Sequence, residues 1–146
     1  MRNRIIQIEC PWRGGDMAAA GGLLARPVPA GFPSPADDYL ESRISLDDYL
    51  ICHREATFFL RVEGDSMQGV GIFDGDLLVV DRALVPVDGS IVIAVIDGAF
   101  TVKQFYRKTG GGALLKAANP AYADMEISPD RELILWGIVR WAIHRV

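Results

Sequence analysis

Ser90-Ile91-Val92-Ile93-Ala94-Val95-Ile96-Asp97-Gly98-Ala99-Phe100-Thr101-Val102-Lys103-Gln104-Phe105 is the stretch that decides the fold. β-Branched and apolar residues flank an Asp-Gly pair. This predicts strands over residues 90–97 and 99–107, joined by a tight two-residue turn. Strand geometry alternates side chains between faces, so Thr101, Lys103 and Phe105 share one face. Lys103 is then a cation inside an apolar run. As a solvated side chain it would guard an edge strand. Buried beside Thr101 and Phe105, it would lose proton affinity, because burial disfavours the charged form, and it could act as a base.

Working outward, the same kind of pattern recurs. Strands are expected over residues 57–62, 76–82, 113–118 and 132–144. Turn signals separate them at Asp74-Gly75, Asp88-Gly89, Gly110-Gly111-Gly112 and Asn119-Pro120. Several short strands at this spacing predict a compact, mostly β body. Residues 38–51 are expected to form a short helix capped by Asp37 or Asp38. Residues 1–40 hold Pro11, Pro27, Pro29, Pro33 and Pro35 together with Gly14, Gly15, Gly21, Gly22 and Gly31. Such a segment does not sustain a helix or a central strand, and it reads as an extended arm. The organisation expected is an arm over 1–40 and a β domain over 41–146.

A base needs a nucleophile. Gly64-Asp65-Ser66-Met67 follows the strand expected to end at Val62. Gly64 and Gly69 allow a tight turn there, one that exposes the Ser66 hydroxyl and aims the backbone N–H groups of Ser66 and Met67 at a developing oxyanion. Serine is a poor nucleophile until a base takes its proton, and a lysine of depressed pKa can do so. Gly-Asp-Ser alone is equally a polar turn. Only the combination with Lys103 frames a Ser-Lys hydrolase centre.

Composition narrows the function. The chain has 146 residues, half of them hydrophobic, which is about one domain with a real core. Its net charge of −4 argues against a protein whose main task is gripping duplex DNA, while leaving work on DNA through partners open. Cys10 and Cys52 show neither CxxC spacing nor a His-Cys cluster and read as two separate thiols, which fits a cytoplasmic location. No run of 18 apolar residues predicts a membrane span. The apolar residues Ile5, Ile6 and Ile8 stop at Glu9 and Cys10-Pro11, too soon for a signal peptide. His53 and His144 have no evident acidic partner that would build a Ser-His-Asp triad. There is no phosphate-cradling loop and no HExxH. Asp74, Asp76 and Asp81 read as a turn feeding a strand rather than as a metal cluster. No metal and no cofactor are expected.

Four motifs in order then complete the reading: 31–39 (Gly-Phe-Pro-Ser-Pro-Ala-Asp-Asp-Tyr), 64–67 (Gly-Asp-Ser-Met), 75–81 (Gly-Asp-Leu-Leu-Val-Val-Asp) and 98–103 (Gly-Ala-Phe-Thr-Val-Lys). Over residues 30–146 the chain resembles the UmuD proteins, which stand with the LexA-like self-cleaving serine peptidases (peptidase S24). The resemblance implies a β-clip body with an extended N-terminal arm. It also implies a catalytic Ser66–Lys103 dyad, an oxyanion site at Ser66 and Met67, and a scissile bond between Ala30 and Gly31. Further implications are cleavage stimulated by a RecA–single-stranded DNA filament in the SOS response, a homodimer of the product 31–146, and union with UmuC, a Y-family polymerase, for translesion synthesis. The chain has no polymerase motif, in keeping with an accessory role. A non-catalytic dimeric adaptor and a LexA-like repressor fragment are the alternatives. Residues 1–29 are short and Pro/Gly-rich for a helix-turn-helix, which disfavours the repressor.

Overall fold

A computed structural model of the chain describes residues 5–8, 20–24, 28–33 and 40–146. The backbone divides into two units, residues 12–52 and residues 1–11 with 53–146.

In the smaller unit, strands β2 (Ala20–Leu24) and β3 (Leu40–Ser45) pair antiparallel, Ala20 opposite Ser45 and Leu24 opposite Leu40. Helix α1 (Leu46–Leu50) follows at once. The helix expected over 38–51 is therefore only its last third, because residues 40–45 find a strand partner. Pairing over a whole strand outweighs the small helix preference of six residues. The cap is Ser45, whose hydroxyl accepts the Asp48 N–H at 3.5 Å. Asp37 and Asp38, the expected caps, lie outside the described residues.

The larger unit is one antiparallel sheet in the order β1-β4-β5-β10-β6-β7-β8-β9. Its strands are β1 (Ile5–Ile8), β4 (Thr57–Val62), β5 (Leu77–Asp81), β6 (Ile91–Ile96), β7 (Ala99–Arg107), β8 (Ala113–Lys116), β9 (Met125–Ile127) and β10 (Leu133–Ile143). All six strands expected from residue 57 onward are present, and the fold is mostly β. Asp97-Gly98 is the β6–β7 turn, with both residues at positive φ (49° and 81°), as a primed hairpin turn requires. The strands within residues 1–40, and β9, were not legible as such. They are three to five residues long, and proline and glycine leave room for elements of that length at an edge or in a hairpin, though not for longer ones.

Both faces of the sheet's middle are covered. On β6, Ile93 packs with Leu60, Val62, Met67, Ile72, Leu78, Val80 and Val102. Its neighbours Val92, Ala94 and Ile96 pack on the other side with Phe105, Ala113, Leu115, Ile127 and Ile138. A strand buried on both faces reads as an unbroken apolar run, as Ile91–Ile96 does.

β10 serves two partners, β5 and β6, and its register slips once against each, between Val139 and Trp141 and between Leu135 and Gly137. At Gly137 a Cβ would stand 2.6 Å from Val80 Cγ1 and 3.2 Å from Arg82 Cγ. Val80 is fully buried and β-branched, so it has no free rotamer to yield. Gly137→Ala is expected to destabilise the protein by about 1–3 kcal/mol, the usual effect of overpacking. Urea denaturation would show this as a lower midpoint at unchanged slope; an unaltered midpoint would refute the close approach.

Candidate active site

After β4 the chain must turn sharply, and Gly64 supplies the left-handed residue, with φ 95°. Its N–H is held by Asp74 Oδ1 at 2.7 Å. Asp65, Ser66 and Met67 follow and lead into a 3₁₀ turn, Gln68–Val70. Met67 is anchored in the core with Leu60, Val62 and Ile72. Ser66, only 1% exposed, is thus carried on a loop whose next residue is locked inside the protein.

Lys103 reaches this loop from β7. It pairs across the sheet with Val92 and shares a face with Thr101 and Phe105, as strand alternation requires. It is 7% exposed. Its Nζ donates to Ser66 Oγ at 3.2 Å and to the Val102 carbonyl at 3.1 Å. Both acceptors are neutral groups. Burial pushes the Lys103 ammonium below the ordinary lysine range, because an ion loses hydration there. Once neutral, the amine has a lone pair beside the serine hydroxyl, and the same contact can carry a proton from oxygen to nitrogen. The solvated edge position is thereby excluded for this lysine.

A second loop backs the serine loop. Ala118 N–H donates to the Ser66 carbonyl at 2.8 Å, and Gly69 N–H donates to the Ala118 carbonyl at 2.7 Å. Asn119 Nδ2 donates to the Asp65 carbonyl at 2.9 Å, and the Tyr122 hydroxyl donates to Asp65 Oδ1 at 2.6 Å. The Asp65 carboxylate raises the Tyr122 phenol, since ionisation would forfeit this bond and set two negative charges together. A Cβ on Gly69 would lie 2.6 Å from the Ala118 carbonyl oxygen, so the approach of the two loops needs glycine. The strand expected over 113–118 ends at Lys116 because Ala118 turns away to bind Ser66. Asn119 and Tyr122 were not recognised as site residues: Asn119-Pro120 signals a turn, but nothing local says what the turn holds.

The remaining candidates separate. Asp74 binds Gly64, Asp76 Oδ2 accepts from Phe73 N–H at 2.8 Å, and Asp81 Oδ1 accepts from Ala83 N–H at 2.8 Å. Asp76 and Asp81 each close their own turn, and Asp74 ties its turn to the one at Gly64. His53 Nδ1 lies 2.6 Å from Asp81 Oδ2, and His144 Nδ1 lies 3.7 Å from Asp76 Oδ2. Each histidine therefore does have an acidic partner, one that sequence spacing does not reveal. Among the described residues no three His, Cys, Asp or Glu side chains are grouped to hold a metal ion. Cys52 is an exposed free thiol, and Cys10 lies outside the described residues. No helix among them is long and apolar enough to cross a membrane. Ser66, Met67 and Lys103 are brought together. Ala30 and Gly31 belong to the smaller unit, where they lie exposed in a bend.

Lys103 and Ser66 thus meet inside the protein, and residues 23–140 match the Peptidase S24-like family. The chain belongs to that family. Protein ImpA of Escherichia coli is 44% identical over 137 residues, which span 90% of this chain and 88% of that protein. Protein SamA of Salmonella typhimurium is 46% identical over 123 residues, 84% of each chain. Protein MucA of Escherichia coli is 43% identical over 113 residues, covering 77% of this chain and 76% of its own length. These are UmuD-family S24 proteins, so the likeness carried by the four sequence motifs holds over most of the chain. S24 members are serine peptidases that act on their own chains.

Proposed function

We propose that this S24 protein cuts its own Ala30–Gly31 bond, with Ser66 as nucleophile and Lys103 as general base. The observation that carries the reading is the 3.2 Å contact between Lys103 Nζ and Ser66 Oγ, both buried. Neutral Lys103 takes the Ser66 proton as Oγ attacks the Ala30 carbonyl. The N–H groups of Ser66 and Met67 hold the oxyanion. Lys103 then gives the proton to the departing Gly31 amine. Water, deprotonated by the same lysine, releases the Ala30 carboxylate and restores Ser66. Ala30 and Gly31 are exposed, as a peptide bond that must enter a site has to be, and Gly31 has no neighbouring atom within 4 Å of a Cβ position. Tethering the bond to the catalyst makes the reaction effectively unimolecular, worth up to about 7–11 kcal/mol of the barrier when the geometry is right.

The product, residues 31–146, is a homodimer that joins a UmuC-type Y-family polymerase in SOS mutagenesis, and a RecA–single-stranded DNA filament promotes the cut. The protein works in the cytoplasm. Similarity to ImpA, SamA and MucA over most of the chain supports this setting. Mass spectrometry after incubation with RecA, single-stranded DNA and nucleotide provides the test. A new N-terminus at Gly31 is expected. A cut elsewhere, or an intact chain under conditions that activate the filament, would overturn the assignment.

A further inference from the structure

The two N–H groups that receive the oxyanion have to be aimed, and the backing loop is built to do this. A trans peptide is planar, with its C=O and N–H pointing in opposite directions. The Ser66 N–H belongs to the same peptide as the Asp65 carbonyl, and the Met67 N–H to the same peptide as the Ser66 carbonyl. Both carbonyls are gripped by one loop: Asn119 Nδ2 holds the Asp65 oxygen at 2.9 Å, and Ala118 N–H holds the Ser66 oxygen at 2.8 Å. Fixing the two oxygens on one side fixes the two N–H vectors on the other.

We propose that Asn119 is a positioning residue for the oxyanion site: its side-chain amide, with the Ala118 N–H beside it, sets the orientation of the Asp65–Ser66 and Ser66–Met67 peptides. This rests on Ser66 being the nucleophile. Asn119 is itself fixed, since its Oδ1 accepts the Ala121 N–H at 2.9 Å and its carbonyl accepts the Tyr122 N–H at 3.0 Å. Tyr122 in turn clamps the Asp65 side chain. The same short turn thus grips Asp65 by backbone and by side chain. Neither residue touches the reacting atoms, and both act through the peptide planes.

An oxyanion donor turned away from its target typically lowers the rate about 10²–10³-fold. Asn119→Ala leaves the Asp65–Ser66 peptide held by the 3.3 Å bond from Gln68 N–H alone on that oxygen, so a loss of about 10- to 100-fold is expected at the pH where the rate is maximal. Tyr122→Phe, which leaves the Asn119 bond in place, is expected to lose less. The pH midpoint of cleavage separates aiming from loosening. Positioning leaves it unmoved, because Lys103 stays buried. A loop that merely opens lets water reach Lys103 and moves the midpoint up, together with a lower melting temperature. Should Asn119→Ala fail to fold, Asn119→Asp keeps the oxygen that caps Ala121 and removes the donor, and the same loss of maximal rate is expected of it. A parent-like maximal rate in these variants, or a loss that comes with an upward midpoint in Asn119→Ala, overturns the proposal. Ser66→Ala run alongside tests the reading beneath it: cleavage at the parent's rate there removes the nucleophile, and the oxyanion site with it.

Discussion

Ser66→Ala and Lys103→Ala are each expected to stop the proposed self-cleavage, lowering its first-order rate by about 10³-fold or more, with the double variant hardly slower than either. The reason is that one proton transfer needs both atoms. Without Oγ there is no acyl acceptor, and without Nζ the hydroxyl stays protonated at neutral pH. Lys103→Arg is expected to fail as badly, although it keeps charge and length. A guanidinium does not give up its proton in a protein, so it has no lone pair to offer Oγ. Ser66→Ala removes one oxygen from a site that stays packed around Met67, so its melting temperature should stay near the parent's and exclude unfolding as the cause. Quantifying the 31–146 product over time is sufficient. Parent-like cleavage in Ser66→Ala or Lys103→Ala would sink the dyad.

The second large effect is the pH dependence. In the proposed mechanism the reactive species has Lys103 neutral, and burial lowers its pKa from the ordinary value of 10.5. Below the midpoint only a fraction of molecules carries the free amine, and that fraction grows tenfold per pH unit. The rate therefore climbs about tenfold per unit from neutrality and levels off at a midpoint below that of a solvated lysine. The measurement is made on spontaneous cleavage without the filament, so that only this chain titrates. The sign follows from the charge type: desolvation penalises an ammonium and favours its neutral form, the opposite of what it does to a carboxyl group. A midpoint at or above 10.5, or a rate that falls as pH rises, would mean that Lys103 is solvated or is not the base.

Much of this was legible in the sequence where the chemistry is local. Asp97-Gly98 announces the hairpin, and strand alternation alone puts Lys103 on a face with Thr101 and Phe105. Gly64 before Asp65-Ser66 marks the turn that carries the serine, but the exposed hydroxyl expected there is instead buried, because Met67 beside it is drawn into the core. What could not be read depends on partners distant in the chain. Asn119 and Tyr122 meet Asp65 across 54 and 57 residues, and no spacing rule links them. Residues 40–45 looked helical with 46–50 because their strand partner, Ala20–Leu24, sits among glycines that give little strand signal of their own. The β10 register slips are equally silent, since Gly137 looks like any strand glycine until Val80 is placed against it. The proposed Ala30–Gly31 site came from family likeness alone, and the surrounding prolines by themselves read as part of an extended arm.

One feature of the topology bears on when the sheet is completed. The serine lies between β4 and β5 and the lysine rides on β7, and among the described residues the strand hydrogen-bonded between β5 and β6 is β10, which follows all the others in sequence. The pairing at the sheet's middle is therefore completed last as the chain is made, because β5 and β6 both take their partner from residues 133–143.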